Sequence, residues 1–176
     1  MLNLNFNPFP AIETERLILR KLDIADAAHL YLIRTDPIVL RYTNMAVHQS
    51  VAETEAYIKL ILANEAKGEA IMWAIVLKND PKIIGTICYW NIEPENDRAE
   101  IGYILQPDLH SKGLMGEAVT DVIKYGFEVM KLDAIVADLH EGNEASVRLL
   151  KRRGFVQQRT EHGKDANTAV YALNKK

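Results

Sequence analysis

Gln106-Pro107-Asp108-Leu109-His110-Ser111-Lys112-Gly113-Leu114-Met115-Gly116-Glu117-Ala118 is the stretch from which the chain can be read. It follows an apolar, strand-like run, Ile101-Gly-Tyr-Ile-Leu105, and leads into an amphipathic helix. Glycines at 113 and 116 keep the turn nearly bare of side chains. Several backbone N–H groups can therefore point outward where a helix begins. Free amides at the positive end of a helix dipole form a phosphate cradle. The plainer alternative is an ordinary strand-turn-helix connection with glycine present for backbone reasons. Spacing alone does not choose between them.

The helix after the loop reads directly. Met115, Val119, Val122, Ile123, Phe127 and Met130 recur at helical spacing and predict one buried face. Gly126 falls on that face and allows close approach to a sheet. Thr120, Asp121, Lys124 and Glu128 occupy the other faces.

Composition sets the outer bounds. A chain of 176 residues, 48% hydrophobic and 26% charged, suits one soluble globular domain over 1–176 with a sizeable core. The net charge of -3, with both signs mixed along the chain, gives no reason to expect a nucleic-acid partner. The one cysteine, Cys88, lies in an apolar run and reads as a small buried side chain. It leaves no internal disulfide, which fits a reducing cytoplasm. His29, His48, His110, His140 and His162 stand too far apart for metal-ligand spacing, so no metal is expected. The N-terminus lacks the basic-then-apolar pattern of a signal peptide, and no apolar run could cross a bilayer. A cytoplasmic protein without a membrane partner is the expectation.

Taken in order, residues 1–13 read as an irregular arm and Arg16–Leu22 as a first strand. Asp23 or Asp26 can cap a short helix to about Arg34, and Asp36-Pro37 opens another short helical piece. Ser50 with Glu53 predicts a capping box for a helix to Lys67, stopped by Gly68, with Tyr57, Leu60 and Ile61 inward. Strands follow at Ile71–Leu77 and Ile83–Trp90, joined by Asn79-Asp80-Pro81-Lys82, and then at Ala99–Leu105 after the polar loop Glu93–Arg98. Ala134–Asp138 is a fifth strand. A helix over Glu144–Arg153 ends at Gly154, and strands at Phe155–Thr160 and Asn167–Leu173, joined by a polar loop, close the chain. The pattern is a mixed α/β sheet covered on both faces.

The assembled pieces resemble the GNAT superfamily of N-acetyltransferases, and within it the RimJ/RimL-type branch, whose named members acetylate N-termini of ribosomal proteins. Thr14-Glu-Arg-Leu-Ile-Leu-Arg20 is similar to that branch's opening strand and Ala99-Glu-Ile-Gly-Tyr103 to its fourth. Lys112-Gly-Leu-Met-Gly-Glu-Ala118 is similar to its pyrophosphate loop. Asn143-Glu-Ala-Ser146 followed by Gly154-Phe155 is similar to its last helix. The resemblance covers nearly the whole chain. It implies an α/β (α+β) GNAT fold, a mostly antiparallel six- to seven-stranded sheet splayed between its fourth and fifth strands.

The resemblance also implies a ligand: acetyl-CoA wedged in the splay. The pantetheine arm would pair with the backbone of Tyr103, Ile104 and Leu105. The pyrophosphate would rest on the loop from His110 and Ser111 through Lys112, Gly113, Leu114 and Met115 to Gly116. Three positions depart from the superfamily pattern. His110 replaces the usual Gln or Arg, Met115 replaces Gly or Ala, and Leu150 stands where a tyrosine acid is common. The branch pattern offers Ser146 in that tyrosine's place.

Acetyl transfer from a thioester needs a neutral amine, a polarised carbonyl and a tolerable leaving thiolate. An α-amine, with a pKa of about 7.7–8.0, is neutral in roughly a tenth of molecules or more at pH 7, whereas a lysine amine at about 10.4 almost never is. An N-terminal acceptor thus asks mainly for positioning. Glu100, at the head of the cofactor-lining strand, is the candidate base through a water. Alternation puts it on the face of Gly102 and Ile104, opposite Tyr103. An ion pair with Arg98 is its plainer role, and Glu141 and Glu93 are rivals. Ser146 is the candidate donor to the thiolate. Asn143 reads as the helix cap and can also contact the pantetheine. Lys151-Arg152-Arg153 read as offsetting their own helix dipole and are left outside the site. Tyr42, Asn44, Tyr57, Trp73 and Trp90 can line an acceptor groove, though most such aromatics are core.

The expected function is acetyl-CoA-dependent N-acetylation of a primary amine, first of all a ribosomal-protein-like N-terminus, by direct attack in a ternary complex. A small amine (polyamine, amino acid or antibiotic) is the alternative acceptor. A non-catalytic acyl-CoA sensor is the alternative class, and the oligomeric state, monomer or homodimer, stays open. No G-x-G-x-x-G, Walker-type loop or G-x-S-x-G elbow supports a different nucleotide enzyme or hydrolase.

Overall fold

The computed structural model describes residues 1–162 and 167–176, with residues 160–162 described by their backbone alone. The strands are β1 (Ile12–Glu13), β2 (Leu17–Lys21), β3 (Ile71–Leu77), β4 (Asp80–Glu93), β5 (Arg98–Leu105), β6 (Ala134–His140), β7 (Val156–His162) and β8 (Thr168–Asn174). The helices are α1 (Ala27–Thr35), α2 (Pro37–Leu40), α3 (Val51–Lys67), α4 (Leu114–Tyr125) and α5 (Glu144–Lys151). One sheet runs in the order β1-β2-β3-β4-β5-β6-β8-β7. All its pairings are antiparallel except β5 with β6.

The sheet therefore has eight strands, not six or seven. The added one, Ile12–Glu13, folds back on Leu19 and Ile18 within the stretch expected to be an irregular arm. That arm is also anchored: Phe6 is buried, and the Asn3 amide donates to the Met130 carbonyl at 2.9 Å. β7 runs on to His162, and the rest of the polar connection expected before Asn167, residues 163–166, lies outside the described residues.

Strand alternation sorts the core into two layers. Trp73, Ile87, Tyr89, Ala99, Ile101 and Ile135 face α4 and α5, whose Val119, Val122 and Leu150 pack on them. Met72, Ala74, Ile83 and Ile104 face the other way, toward Leu30 of α1 and Ile58 of α3. Ser50 caps α3 by accepting the Glu53 amide at 3.2 Å, and Gly68 ends it at φ 74°. The Glu53 carboxylate takes the Gln49 amide and not that of Ser50, so the box is displaced by one residue. The buried stripe of α3 is Thr54, Ile58 and Glu65, whereas Leu60 is 57% exposed. The expectation of an inward Leu60 is out of phase with the face that α3 turns to the sheet.

α4 passes into a π-helical turn over Gly126–Met130. Gly126 and Met130 are buried as expected, Phe127 and Ile123 are only partly buried, and Tyr125, one turn past Val122, joins the core. Gly126 lies directly on Tyr89: an added Cβ would stand 2.6 Å from the hydroxyl that donates to the Val122 carbonyl at 3.0 Å. Gly126→Ala should therefore destabilise the protein by about 1–3 kcal/mol in urea unfolding. Part of that loss should return when Tyr89→Phe removes the clashing oxygen, and independence of the two changes would contradict the contact.

Candidate active site

β5 and β6 are parallel neighbours for three rungs only: Arg98↔Ala134, Ala99↔Ile135 and Glu100↔Val136. Beyond them each strand keeps its outer partner, β5 to Gly85↔Leu105 on β4 and β6 to His140↔Thr168 on β8. A gap opens between them. The Gln106 amide donates to the Ile84 carbonyl at 2.8 Å. Antiparallel alternation from that bond turns the N–H and C=O of Ile104 toward β4, and those of Tyr103 and Leu105 toward the gap. The imidazole of His110 takes one of these groups, with Nε2 at 2.8 Å from the Leu105 carbonyl.

The glycine loop sits at the mouth of the gap. Ser111 and Gly113 both adopt left-handed backbone, at φ 62° and 77°, and Gly113 stands immediately before α4. Among the described residues no backbone N–H from Ser111 to Gly116 donates a hydrogen bond. These amides therefore retain their capacity to bind an anion. Met115 buries its side chain in the core and leaves only its backbone at the loop. At Gly116 an added Cβ would lie 2.5 Å from Nη2 of Arg153, so that guanidinium would have to shift.

Gap and loop merge into one cleft of about 660 Å³. Tyr103, Ile104, Leu105, His110, Ser111, Gly113, Leu114, Met115, Gly116, Asn143 and Ser146 all line it. Asn143 caps α5 by accepting the Ser146 amide at 3.2 Å, which turns Ser146 toward the cleft one helical turn before Leu150. Leu150 itself is fully buried in the core. The Tyr103 hydroxyl is buried and makes no hydrogen bond. Burial pushes its pKa up to about 12, against the opposing pull of Ser146 and Arg153 beside it.

The acetyltransferase (GNAT) domain model matches residues 16–156. The chain belongs to the GNAT family of acetyltransferases. It is similar to the uncharacterized N-acetyltransferase YoaA of Bacillus subtilis (strain 168), at 31% identity over 173 residues, 95% of this chain and 98% of YoaA. It is also similar to the uncharacterized N-acetyltransferase p20 of Bacillus licheniformis, at 36% over 145 residues, 82% of each chain. In fold it is similar to RimL, the ribosomal L7/L12 alpha-N-protein acetyltransferase solved in complex with coenzyme A. That likeness has a TM-score of 0.81 and 21% identity, and covers 94% of this chain and 98% of RimL. This GNAT acetyltransferase is thus an acyltransferase that depends on acetyl-CoA.

The remaining sequence candidates of the acetyltransferase fall in different places. Glu100 is not among the cleft-lining residues. It is 6% exposed, on the last paired rung before β5 and β6 part, on the same face as Cys88, Gly102 and Ile104. Glu93 is held by Arg98 at 2.8 Å and by Asn96 at 2.7 Å. Glu141 is exposed at the end of β6. The Lys112 side chain is exposed and outside the lining. Cys88 is half-buried, not fully so, and burial raises its thiol pKa to about 12. Trp73 is core, bonded through its indole to the Pro10 carbonyl at 2.8 Å. Tyr57 lies under Arg34, 4.1 Å from the ring centroid, while Trp90 is exposed. Tyr42 lines the cleft and packs on His140 at 5.3 Å.

Sequence reasoning left out the cationic lining. Arg41, Arg148, Arg152 and Arg153 all border the cleft. Arg153 donates to its own helix at the Leu149 carbonyl, as a dipole-offsetting residue would, and also across the cleft to the Gly116 carbonyl and the Thr120 hydroxyl. The signal available was the basic run Lys151–Arg153. Spacing does not reveal the direction in which the end of α5 points.

Glu117, in the first turn of α4, anchors the loop from behind. Burial raises its pKa, but the Thr14 hydroxyl and the amide and guanidinium of Arg16 together hold it below the ordinary 4.5. The stabilisation from this carboxylate is therefore complete above about pH 4.5 and is lost as the pH falls through the depressed folded value. Glu117→Gln should lower Tm at neutral pH, and the difference from wild type should narrow steadily as the pH falls below about 4.5. A constant difference across that range would remove the carboxylate from the account.

Proposed function

We propose that this acetyltransferase modifies the N-terminal α-amine of a protein, a ribosomal protein being the first candidate. The observation that carries the donor side is the coincidence of two backbone sets in one cleft, the edge of β5 without a strand partner and the unbonded Ser111–Gly116 amides. A pantetheine arm pairs with the first and a pyrophosphate with the second. The four arginines bordering the cleft suit a polyanion. Bound acetyl-CoA supplies an activated carbonyl on sulfur.

On the acceptor side the likeness to RimL, which acts on an α-amine of a ribosomal protein, supports the reading. Chemistry points the same way. An α-amine is already partly neutral near pH 7, so it needs orientation more than a strong base. We assign Glu100 as the base, acting through a water, because it sits on the last rung that β5 and β6 share before they part. We assign Ser146 as the hydroxyl that holds a proton toward the sulfur. The unbonded Tyr103 hydroxyl beside it supports this, since it can donate to Ser146 Oγ and leave the serine proton free for the thiolate. Asn143 holds the helix turn that presents Ser146.

Free-thiol release against a panel of N-terminal peptides, polyamines and amino acids tests the acceptor. A peptide should exceed every small amine in kcat/KM by about tenfold or more, and a preferred polyamine or amino acid would replace the protein N-terminus. Binding of acetyl-CoA with no thiol release for any amine in the panel would favour a non-catalytic acyl-CoA sensor. Ser146→Ala should lower kcat by about tenfold or more with little change in acetyl-CoA KM. Equal losses would make Ser146 a binding residue. Glu100→Gln should remove the acidic limb of the pH–rate profile, and its persistence would place the base elsewhere.

A further inference from the structure

Thr14 and Arg16 lie about a hundred positions from the glycine loop in the chain and against it in the fold. One carboxylate oxygen of Glu117 accepts from the Thr14 hydroxyl and from the Arg16 amide at 2.7 Å. The other accepts from Arg16 Nε at 2.8 Å. Arg16 Nη1 then donates to the Lys112 carbonyl at 3.0 Å. A tight turn holds Thr14 in position. Its hydroxyl also accepts the Leu17 amide at 3.0 Å, and its own amide donates to the Leu17 carbonyl.

Two consequences follow from elementary geometry and charge. In a trans peptide the C=O and N–H point in opposite directions. Fixing the Lys112 carbonyl on Arg16 therefore turns the Gly113 N–H the other way, off Arg16 and into the set of unbonded amides. Secondly, Glu117 puts a negative charge within the first turn of α4, close to where an anion would sit. Alone it would repel a diphosphate. The Arg16 guanidinium, locked to it in a fixed fork, offsets that charge.

We infer that Thr14, Arg16 and Glu117 form a buckle that sets the loop amides for the diphosphate of the acyl donor. They are positioning residues with no contact to the reacting atoms. The inference rests on the phosphate reading of the loop. It also gives a reason for the early Thr-Glu-Arg segment, which the fold alone would require only as the approach to a strand.

Two acyl donors separate the roles: acetyl-CoA, which carries the diphosphate, and S-acetylpantetheine, which does not. Arg16→Ala should lower kcat/KM for acetyl-CoA by about tenfold and that for S-acetylpantetheine by less than about twofold. Turnover of S-acetylpantetheine certifies that the variant is folded. Equal loss on both donors, or loss on neither, overturns the buckle. Arg16→Lys keeps the charge but cannot span Glu117 and Lys112 together, so it should resemble Arg16→Ala. Full rescue by lysine would reduce the cluster to a charge and also overturn the positioning role. Gly113→Val isolates the underlying reading. If it too leaves the ratio between donors unchanged, the phosphate assignment itself fails; if it collapses the ratio while Arg16→Ala does not, the buckle alone fails.

Discussion

Two parallel strands that share three rungs and then separate create every feature of the cleft. Unpaired backbone N–H and C=O groups are costly inside a protein unless something satisfies them. After Glu100 and Val136 the sheet gives up the pairing that would do so, and it leaves the Tyr103 and Leu105 edge facing a gap. The edge is protected from aggregation by enclosure: α4 and α5 border it, and β6 with β8 stands opposite. A ligand with alternating amide donors and acceptors can complete the interrupted ladder.

The gap is useful only if the anion-binding turn sits at its mouth, and packing on the α4 side of the sheet ensures that. Trp73 packs edge-on against both Tyr89 and Tyr125, and Tyr89 bonds the Val122 carbonyl. These contacts seat the far end of α4, while Thr14, Arg16 and Glu117 hold its first turn. Arg153 reaches over from α5 to the same turn and donates to the Gly116 carbonyl. Of the two loop glycines, only Gly113 is required by backbone conformation.

Much of this was legible in one dimension. A strand-like run, a glycine turn and an apolar 3.6-residue period identify a strand-loop-helix unit whatever surrounds it, because these are local properties of the backbone. The caps at Ser50, Asp36 and Asn143 were readable for the same reason: a short polar side chain satisfies amides two or three residues away. Expectation and structure part where a distant contact overrides a local pattern. The arm before β2 contains a strand because Leu19 and Ile18 offer it an edge. Leu60 points outward because only the sheet beneath α3 sets the phase of that helix. A π-turn replaces regular helix after Tyr125, and no spacing rule anticipates it.

By itself the sequence determined the order of elements from β2 onward, the alternation that sorts residues between two core layers, and the bare turn preceding an amphipathic helix. Those depend on side chains within a few positions of one another. Tertiary structure alone decided that β8 inserts between β6 and β7, that β5 and β6 part after three rungs, and that Arg153 and Arg16 converge on one helical turn from opposite ends of the chain. Strand pairing and salt-bridge geometry depend on which surfaces meet after collapse. That information is distributed over residues far apart in the chain, 37 positions for Arg153 and Gly116 and 101 for Arg16 and Glu117, and has no local signature.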